Sequence, residues 1–460
     1  MSQIPQSIFR AYDIRGVIDQ DLTVAGARLI GQAIGSEVVA QGESRIVVAR
    51  DGRLSGPDML LALTEGLLST GVDVIDLGRV PTPVLYFAVH TLEGVHSGVA
   101  VTGSHNPSNY NGFKIMIGGH TLSGEAIQGL YQRISDGRFS TGEGHCESHD
   151  IRDTYLERIR QDIHLKRPLK AVVDCGNGVG GELGPRLIAS LGVDTVPLFD
   201  DIDGHFPNHH PDPGKVENLQ DLIAMVQETG ADIGLAFDGD ADRVGVVTPR
   251  GEVIYPDRFL MALAEDLLTR KPGARVVFDI KCTGHLADMI ARLGGEPDMW
   301  FTGHSLIKAR MNEVGADLGG EMSGHIFFKE RWYGFDDGIY AAARLLEILA
   351  GQSEDADTFF SRYPQDLGTA ELNVEVTDAT KFDLARRIAL EGDFGNDGTR
   401  TTLDGLRVDY PDGWGLCRAS NTTPMLVFRF EGASQAALDR IQDCFRTALL
   451  KVAPDATPGF

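Results

Sequence analysis

Cysteine is scarce in this chain, positive charge is outnumbered, and no long apolar run is present. The five cysteines of the 460 residues, Cys146, Cys175, Cys282, Cys417 and Cys444, are scattered, odd in number and form no CxxC pair. That excludes a disulfide framework and a zinc ribbon, and it fits a reducing compartment. The first residues, MSQIPQSIFRAYDIRG, carry no apolar signal core. No stretch approaches the roughly 20 apolar residues of a membrane span. Lys and Arg total 42 against 66 Asp and Glu, a formal charge of -24. Such a chain repels nucleic acid and anionic lipid at long range. The expectation is therefore a soluble, cytoplasmic, monomeric protein with neither nucleic acid nor membrane as partner. A small phosphate is admissible only where a few Arg and Lys converge locally.

What is present is a repeated grammar of short apolar strand, Gly-rich turn and amphipathic helix. Segment 45–50 (RIVVAR) reads as a buried strand, 57–70 as a helix ending near Gly71, and VDVIDLG as the next strand. Segment 97–102 (SGVAVT) runs straight into GSHNP. The pattern restarts at 169–174 (LKAVVD), 231–237 (ADIGLAF) and 274–280 (ARVVFDI). Short strands alternating with helices predict an α/β class, here three similar units with helix-flanked mixed sheets. From about 369 the text changes to ELNVEV, TTLDGLRVDY, WGLCRA and MLVFRF with a closing helix, which predicts a smaller α+β unit. Units over 1–150, 151–253, 254–368 and 369–460 follow, with 136–150 and 351–356 as polar junctions.

Chemistry concentrates in four loops. Asp238, Asp240 and Asp242 stand at i, i+2 and i+4 with Gly239 and Ala241 between them, bracketed by apolar strands. Three convergent carboxylates repel one another unless a hard divalent cation joins them, and magnesium with phosphate oxygens is the usual case. A calcium-binding EF-hand loop fails, because its sixth and twelfth positions would be Arg243 and Pro249. An acidic surface turn is the plainer alternative. Ser104, in TGSHNP at 102–107, ends a strand in a loop held by Gly and Pro; the hydrolase GxSxG elbow is absent. Lys114 follows in NGFK. Glu321, Ser323 and His325 lie in GEMSGH at 320–325, able to meet sugar hydroxyls. Arg418, Ser420, Asn421 and Thr422, in RASNTTP at 418–424, compose a phosphate clamp between two strands.

Together with FRAYDIRG at 9–16, these segments resemble the α-D-phosphohexomutase family, in its phosphomannomutase/phosphoglucomutase branch, over nearly the whole chain. The resemblance implies four domains around a central cleft. It implies that Ser104 is phosphorylated and completes a magnesium site with Asp238, Asp240 and Asp242. Arg15, Lys114 and Arg243 would surround that phosphate, with His325 beside the reacting oxygens. Tyr12, Lys281 and His304 would lie near the substrate, Glu321 and Ser323 on sugar hydroxyls, and Arg418, Ser420, Asn421 and Thr422 on the non-transferred phosphate. The implied activity interconverts hexose 1-phosphate and hexose 6-phosphate through a 1,6-bisphosphate, with either His325 or Lys114 as general acid/base. Aminosugar mutases typically carry Ala before the serine and Gln within the GExSGH loop. Gly103 and Met322 stand here, favouring mannose and glucose phosphates.

Other readings compete. Gly176, Gly178 and Gly181 follow a strand and match GxGxxG, with Asp194 and Asp200 about 20 residues on, as in a dinucleotide site. His205, His209, His210 and Asp212 offer metal-binding side chains. A phosphatase would use the same aspartates, but a second phosphate clamp argues for a mutase.

Overall fold

The buried strands foreseen in the sequence assemble into four sheets in a computed structural model that describes residues 4–421 and 423–460. In the first sheet Arg45–Arg50, Asp73–Arg79 and Gly98–Val101 run parallel, and Tyr110–Ile117 returns antiparallel to Gly98–Val101. The second sheet repeats this plan. Lys170–Asp174, Asp194–Leu198 and Ile233–Phe237 are parallel, and Val244–Val247 returns. In the third, Arg275–Asp279, Glu296–Trp300 and Leu318–Gly320 are parallel, and Ile326–Phe328 returns. Ile233–Phe237 and Gly98–Val101 are buried at every residue, because helices cover both faces of a parallel core.

The repeated return stroke sets up the site. In each of the three sheets a parallel strand ends, a short loop turns, and an antiparallel strand begins. Those three loops hold Ser104, the three aspartates, and GEMSGH. They sit where open α/β sheets bind ligands, beyond the carboxyl ends of the parallel strands. The fourth sheet is antiparallel throughout, and RASNTTP joins its strands Gly413–Ala419 and Met425–Gly432.

Helix Gly56–Leu68, slightly shorter than the sequence suggests, packs on Val24–Ala40 through Gly31 and Gly66. A methyl at either glycine would lie 2.2 Å from a carbonyl oxygen of the opposite helix, so only Gly permits this approach. Helix Gly338–Ala350 is buried on nearly every side, as its apolar composition requires, and Asp337 caps it by accepting from the Tyr340 N–H at 2.9 Å.

One hydrophobic core runs from Val47 to Tyr363 and fuses the first three units. The fourth unit has its own core, Val374 to Val452, joined to the rest by a small apolar cluster of Ile280, Trp414 and Leu416 and by polar bonds, Arg407 donating to the Ile280 and Cys282 carbonyls at 2.7 Å and Arg429 to the Lys281 carbonyl. A junction that is small and largely polar is the kind across which domains move relative to one another. Among the described residues, no helix is long and apolar enough to cross a membrane.

Candidate active site

The serine and the three aspartates, 134 to 138 residues apart in sequence, meet in space. Ser104 Oγ donates to Asp238 Oδ2 at 3.0 Å. All four residues are fully buried. Their loops depend on unusual backbone: Ser104 at φ 48° and Ala241, between Asp240 and Asp242, at φ 60° are left-handed without being glycine. Each such residue costs on the order of 1 kcal/mol, a strain found where loops must present side chains in one direction.

Lys114 Nζ donates to Asp240 Oδ2 at 2.8 Å and also to Asp242. The Thr82 hydroxyl reaches the same Asp240 oxygen at 2.6 Å. Asp240 Oδ1 and Asp242 Oδ1 accept no hydrogen bond within the protein, although His325 Nε2 lies 3.4 Å from Asp242 Oδ1. Burial, with repulsion from Asp242 and Asp240, pushes the Asp238 carboxyl well above its ordinary range. Lys114 is shifted upward: burial works against its charge, but Asp240 and Asp242 outweigh burial. Lys114, with Arg243 at 3.8 Å from Asp238, answers three buried carboxylates, and two oxygens still accept no hydrogen bond. Orphaned acceptors in a water-poor site are costly, and a hard divalent cation meets that need with oxygen ligands. The donor set fits magnesium.

A stability prediction follows. Lys114→Met leaves the carboxylates with only the more distant Arg243, 3.8 Å from Asp238, and breaking a buried pair costs about 3–5 kcal/mol. Thermal unfolding in EDTA should show a clear fall in Tm, and added magnesium should restore part of it by mass action. A variant whose Tm in EDTA matches the parent would contradict this electrostatic account.

Arg243 closes the metal side. Its backbone N–H donates to Asp238 Oδ1 at 3.2 Å, and its Nε donates to His325 Nε2 at 3.1 Å. On the far side of the ring, His325 Nδ1 lies 3.0 Å from Glu321 Oε2 and 2.9 Å from Ser323 Oγ. Burial and Arg243 press the imidazole's pKa down, but Asp242 and Glu321 carry it to about 9. The neutral ring, with its proton at Nδ1, accepts the Arg243 N–H at Nε2, whereas the charged ring would donate from Nε2 towards Asp242 Oδ1, 3.4 Å away. His304 stacks on His325 with centroids 5.5 Å apart, and its Nδ1 lies 3.3 Å from Asp336. Lys308 holds Asp336 at 2.8 Å.

The remaining basic residues surround the cleft. Arg15 pairs with Asp13 and Asn106, and its buried Nε has no partner. Arg418 Nε donates to Asp404 at 3.0 Å, while its buried Nη2 has none. Unused guanidinium donors point to anions as surely as unused carboxylate oxygens point to a cation. Lys281 donates to Glu371 at 2.6 Å. Ser420 Oγ accepts from Thr423 N and Oγ1. Tyr12 donates to the Thr302 carbonyl at 2.6 Å and accepts from Asn421 Nδ2, so one hydroxyl ties the first, third and fourth units together. Thr422 lies outside the described residues.

The structure thus gathers Ser104, Lys114, the aspartates, Arg243, His325, Glu321 and Ser323 around one point. Arg418, Asn421 and Tyr12 form a second group on the fourth unit's side. Thr82, Asp336, Lys308, Asp404 and Glu371 went unnoticed in the sequence, because each is a lone polar residue outside any motif. The GxGxxG segment is no cofactor cradle: a methyl on Gly181 would meet the Asp200 carbonyl at 2.0 Å, and the Val179 N–H donates to Gly239 O at 3.1 Å. Its glycines let the turn pack against the aspartate loop. The histidine segment does not converge either. His209 pairs with Asp174 at 2.9 Å, His205 with Asp203, and Asp212 faces His105. Among the described residues, the triads able to share a metal ion are Asp238/Asp240/Asp242 and Asp242/His325/Asp336.

Four family profiles match this chain in succession. They are the phosphoglucomutase/phosphomannomutase alpha/beta/alpha domains I, II and III over residues 6–141, 153–251 and 255–366, and the C-terminal domain over 371–448. A phosphomannomutase/phosphoglucomutase of Pseudomonas syringae pv. tomato is 57% identical over 98% of this chain and 97% of its own. A phosphoglucomutase of Neisseria meningitidis serogroup A is 50% identical, with 98% of each chain covered. The crystal structure of a phosphoglucomutase/phosphomannomutase family protein from Burkholderia thailandensis superposes with a TM-score of 0.95 at 55% identity, covering 99% of this chain and 100% of that one.

Proposed function

This chain belongs to the α-D-phosphohexomutase family and is an isomerase that interconverts hexose phosphates; from that premise we propose that the transfer runs through a phosphorylated Ser104 and a hexose 1,6-bisphosphate. The observation that carries the reading is the buried Ser104 Oγ against Asp238, beside two carboxylate oxygens that accept no hydrogen bond. Glucose and mannose phosphates are the proposed substrates, since Gly103 and Met322 stand where aminosugar mutases differ.

Phosphoryl transfer asks for positioning and charge stabilisation more than for covalent assistance. The free hydroxyl of a hexose monophosphate attacks the phosphoserine phosphorus. A P–O bond to the sugar forms, the bond to Ser104 Oγ breaks, and the sugar hydroxyl yields its proton. The product is the 1,6-bisphosphate, which turns end over end in the cleft before its other phosphoryl group returns to Ser104. Asp238, Asp240 and Asp242 would hold magnesium, whose charge when bound offsets that of the transferring group. Arg15, Lys114 and Arg243 supply the rest of the positive surround.

His325 serves better than Lys114 as the proton acceptor. In its neutral form Nε2 presents a lone pair towards the cleft's charged groups, and Nδ1 is steadied by Glu321 and Ser323. Lys114 is committed to two carboxylates, which hold its proton in place. Arg418 and Asn421 would grip the phosphate that stays, with Ser420 and Thr422 completing the clamp. Lys281 and His304 would face the sugar.

The direct test is a coupled assay with glucose 1-phosphate and mannose 1-phosphate, run with and without bisphosphate. Both sugars should give their 6-phosphates, with bisphosphate raising the initial rate. Release of inorganic phosphate in place of the 6-phosphate would support a phosphatase instead. Closure carries its own prediction. Tyr12→Phe removes a donor to Thr302 and an acceptor for Asn421, each bond worth about 1 kcal/mol. KM should rise roughly 5- to 30-fold with a smaller change in kcat. An unchanged KM would remove Tyr12 from the closing contact.

A further inference from the structure

We infer that Arg53, with Asp51 and Thr102, is a positioning unit that fastens the Ser104 loop and keeps the serine aimed at the aspartates. This rests on the phosphoserine reading above. The Arg53 side chain has 0% exposure. Each of its five N–H donors has a protein acceptor. Nε reaches Asp51 Oδ2 at 3.2 Å. Nη1 reaches the Pro107 and Tyr110 carbonyls at 2.5 and 2.9 Å. Nη2 reaches the Ser104 and Asn106 carbonyls at 2.8 and 2.6 Å. A guanidinium has five donors and no more, so none remains for a phosphate. Arg53 therefore does not bind substrate. It holds four carbonyls of the loop that turns Ser104 into the cleft.

The second half of the unit works from the serine's other side. Asp51 Oδ2 accepts from Thr102 Oγ1 at 2.8 Å and from the Gly103 N–H at 3.2 Å. Thr102 Oγ1 in turn accepts from the Ser104 N–H at 2.8 Å. The serine's N–H and C=O are thus both tied, through Thr102 and Arg53, to the same carboxylate. That explains how a non-glycine residue is kept at φ 48°. The Phe206 ring, from the second unit, lies 5.3 Å from the guanidinium carbon, so Arg53 also meets the unit that carries the aspartates. Lysine cannot replace it: three donors on one nitrogen cannot span four carbonyls.

Arg53→Lys and Thr102→Val keep charge and shape respectively, and both are compared with Ser104→Ala. Misplacing a reacting group by about 1 Å costs on the order of 100-fold. Arg53→Lys should therefore lose roughly 100-fold in kcat, and Thr102→Val roughly 10- to 30-fold for the loss of two hydrogen bonds, to Asp51 and from the Ser104 N–H. KM should stay within about two-fold in both, since the substrate contacts are intact. The rate at which glucose 1,6-bisphosphate phosphorylates Ser104, followed by intact mass, should fall in step with kcat. If Arg53→Lys does not fold, as judged by circular dichroism, Thr102→Val decides alone. Folded variants with parental kcat, or losses confined to KM, overturn the positioning role. Full activity in Ser104→Ala would instead overturn the phosphoserine reading, so the two failures are separable.

Discussion

Ser104→Ala should lower kcat by at least about 10³-fold while leaving the fold and the substrate KM nearly intact. A group that forms the covalent intermediate cannot be bypassed by its neighbours, and removing a nucleophile alone can cost about 10⁶-fold. The loss of one hydroxyl should not disturb packing. Ser104 Oγ makes a single hydrogen bond, to Asp238, and the loop is held by backbone contacts that alanine retains. Alanine at φ 48° is no more strained than serine there. Circular dichroism and Tm should match the parent closely. The coupled assay then reads chemistry alone, and bisphosphate should fail to rescue activity at any concentration. A variant retaining full turnover would mean that phosphate passes between substrates without the serine.

Asp240→Asn is expected to have the next largest effect and, unlike Ser104→Ala, to lower stability. Asp240 Oδ2 is already shared by Lys114 and Thr82, whereas Oδ1 is buried and unpartnered. Exchanging the carboxylate for an amide keeps shape and removes one of three mutually repelling charges. Burial and Asp242 push the Asp240 carboxyl up, but Lys114 and Thr82 outweigh them and hold it below its ordinary range, so its charge stabilises the fold and the metal-free Asp240→Asn protein should lose Tm. Magnesium affinity by calorimetry should fall, and the magnesium-induced rise in Tm should shrink with it. At saturating magnesium, kcat should still be down about 10²–10³-fold, the usual cost of losing one preorganised electrostatic partner. A parental magnesium dependence would remove Asp240 from the ion's ligands.

Much of the site was legible in the sequence because its chemistry is loop-borne and clustered. Three carboxylates in five residues, or an Arg beside hydroxyl and amide side chains, stand out against any background. The three α/β units were also readable, since their strands are apolar on both faces. What could not be read is the supporting set. Thr82, Asp336 and Arg53 are ordinary residues at helix starts and turns, and their roles come only from which strands the topology sets side by side. The GxGxxG segment shows the converse. Its spacing matches a cofactor loop, but its glycines serve close packing against Gly239 and Asp200. Neither His325 nor Lys114 could be preferred until the ion pairs of Lys114 were visible.

Fusion of the first three units by one core, against the largely polar attachment of the fourth, matches the division of labour proposed here. Serine and aspartates sit on the fused part, where geometry must hold to fractions of an ångström. Arg418 and Asn421 sit on the part that can swing and must accept a phosphate from either end of the sugar.

The most direct measurement follows one phosphorus atom. Enzyme carrying labelled phosphate on Ser104 is mixed with unlabelled glucose 1-phosphate, and the label is located after a single turnover. The account predicts that the label leaves Ser104 and appears in glucose 1,6-bisphosphate or glucose 6-phosphate, with the serine rephosphorylated by unlabelled phosphate. Label that stays on the protein during turnover, or that emerges as inorganic phosphate, would contradict it.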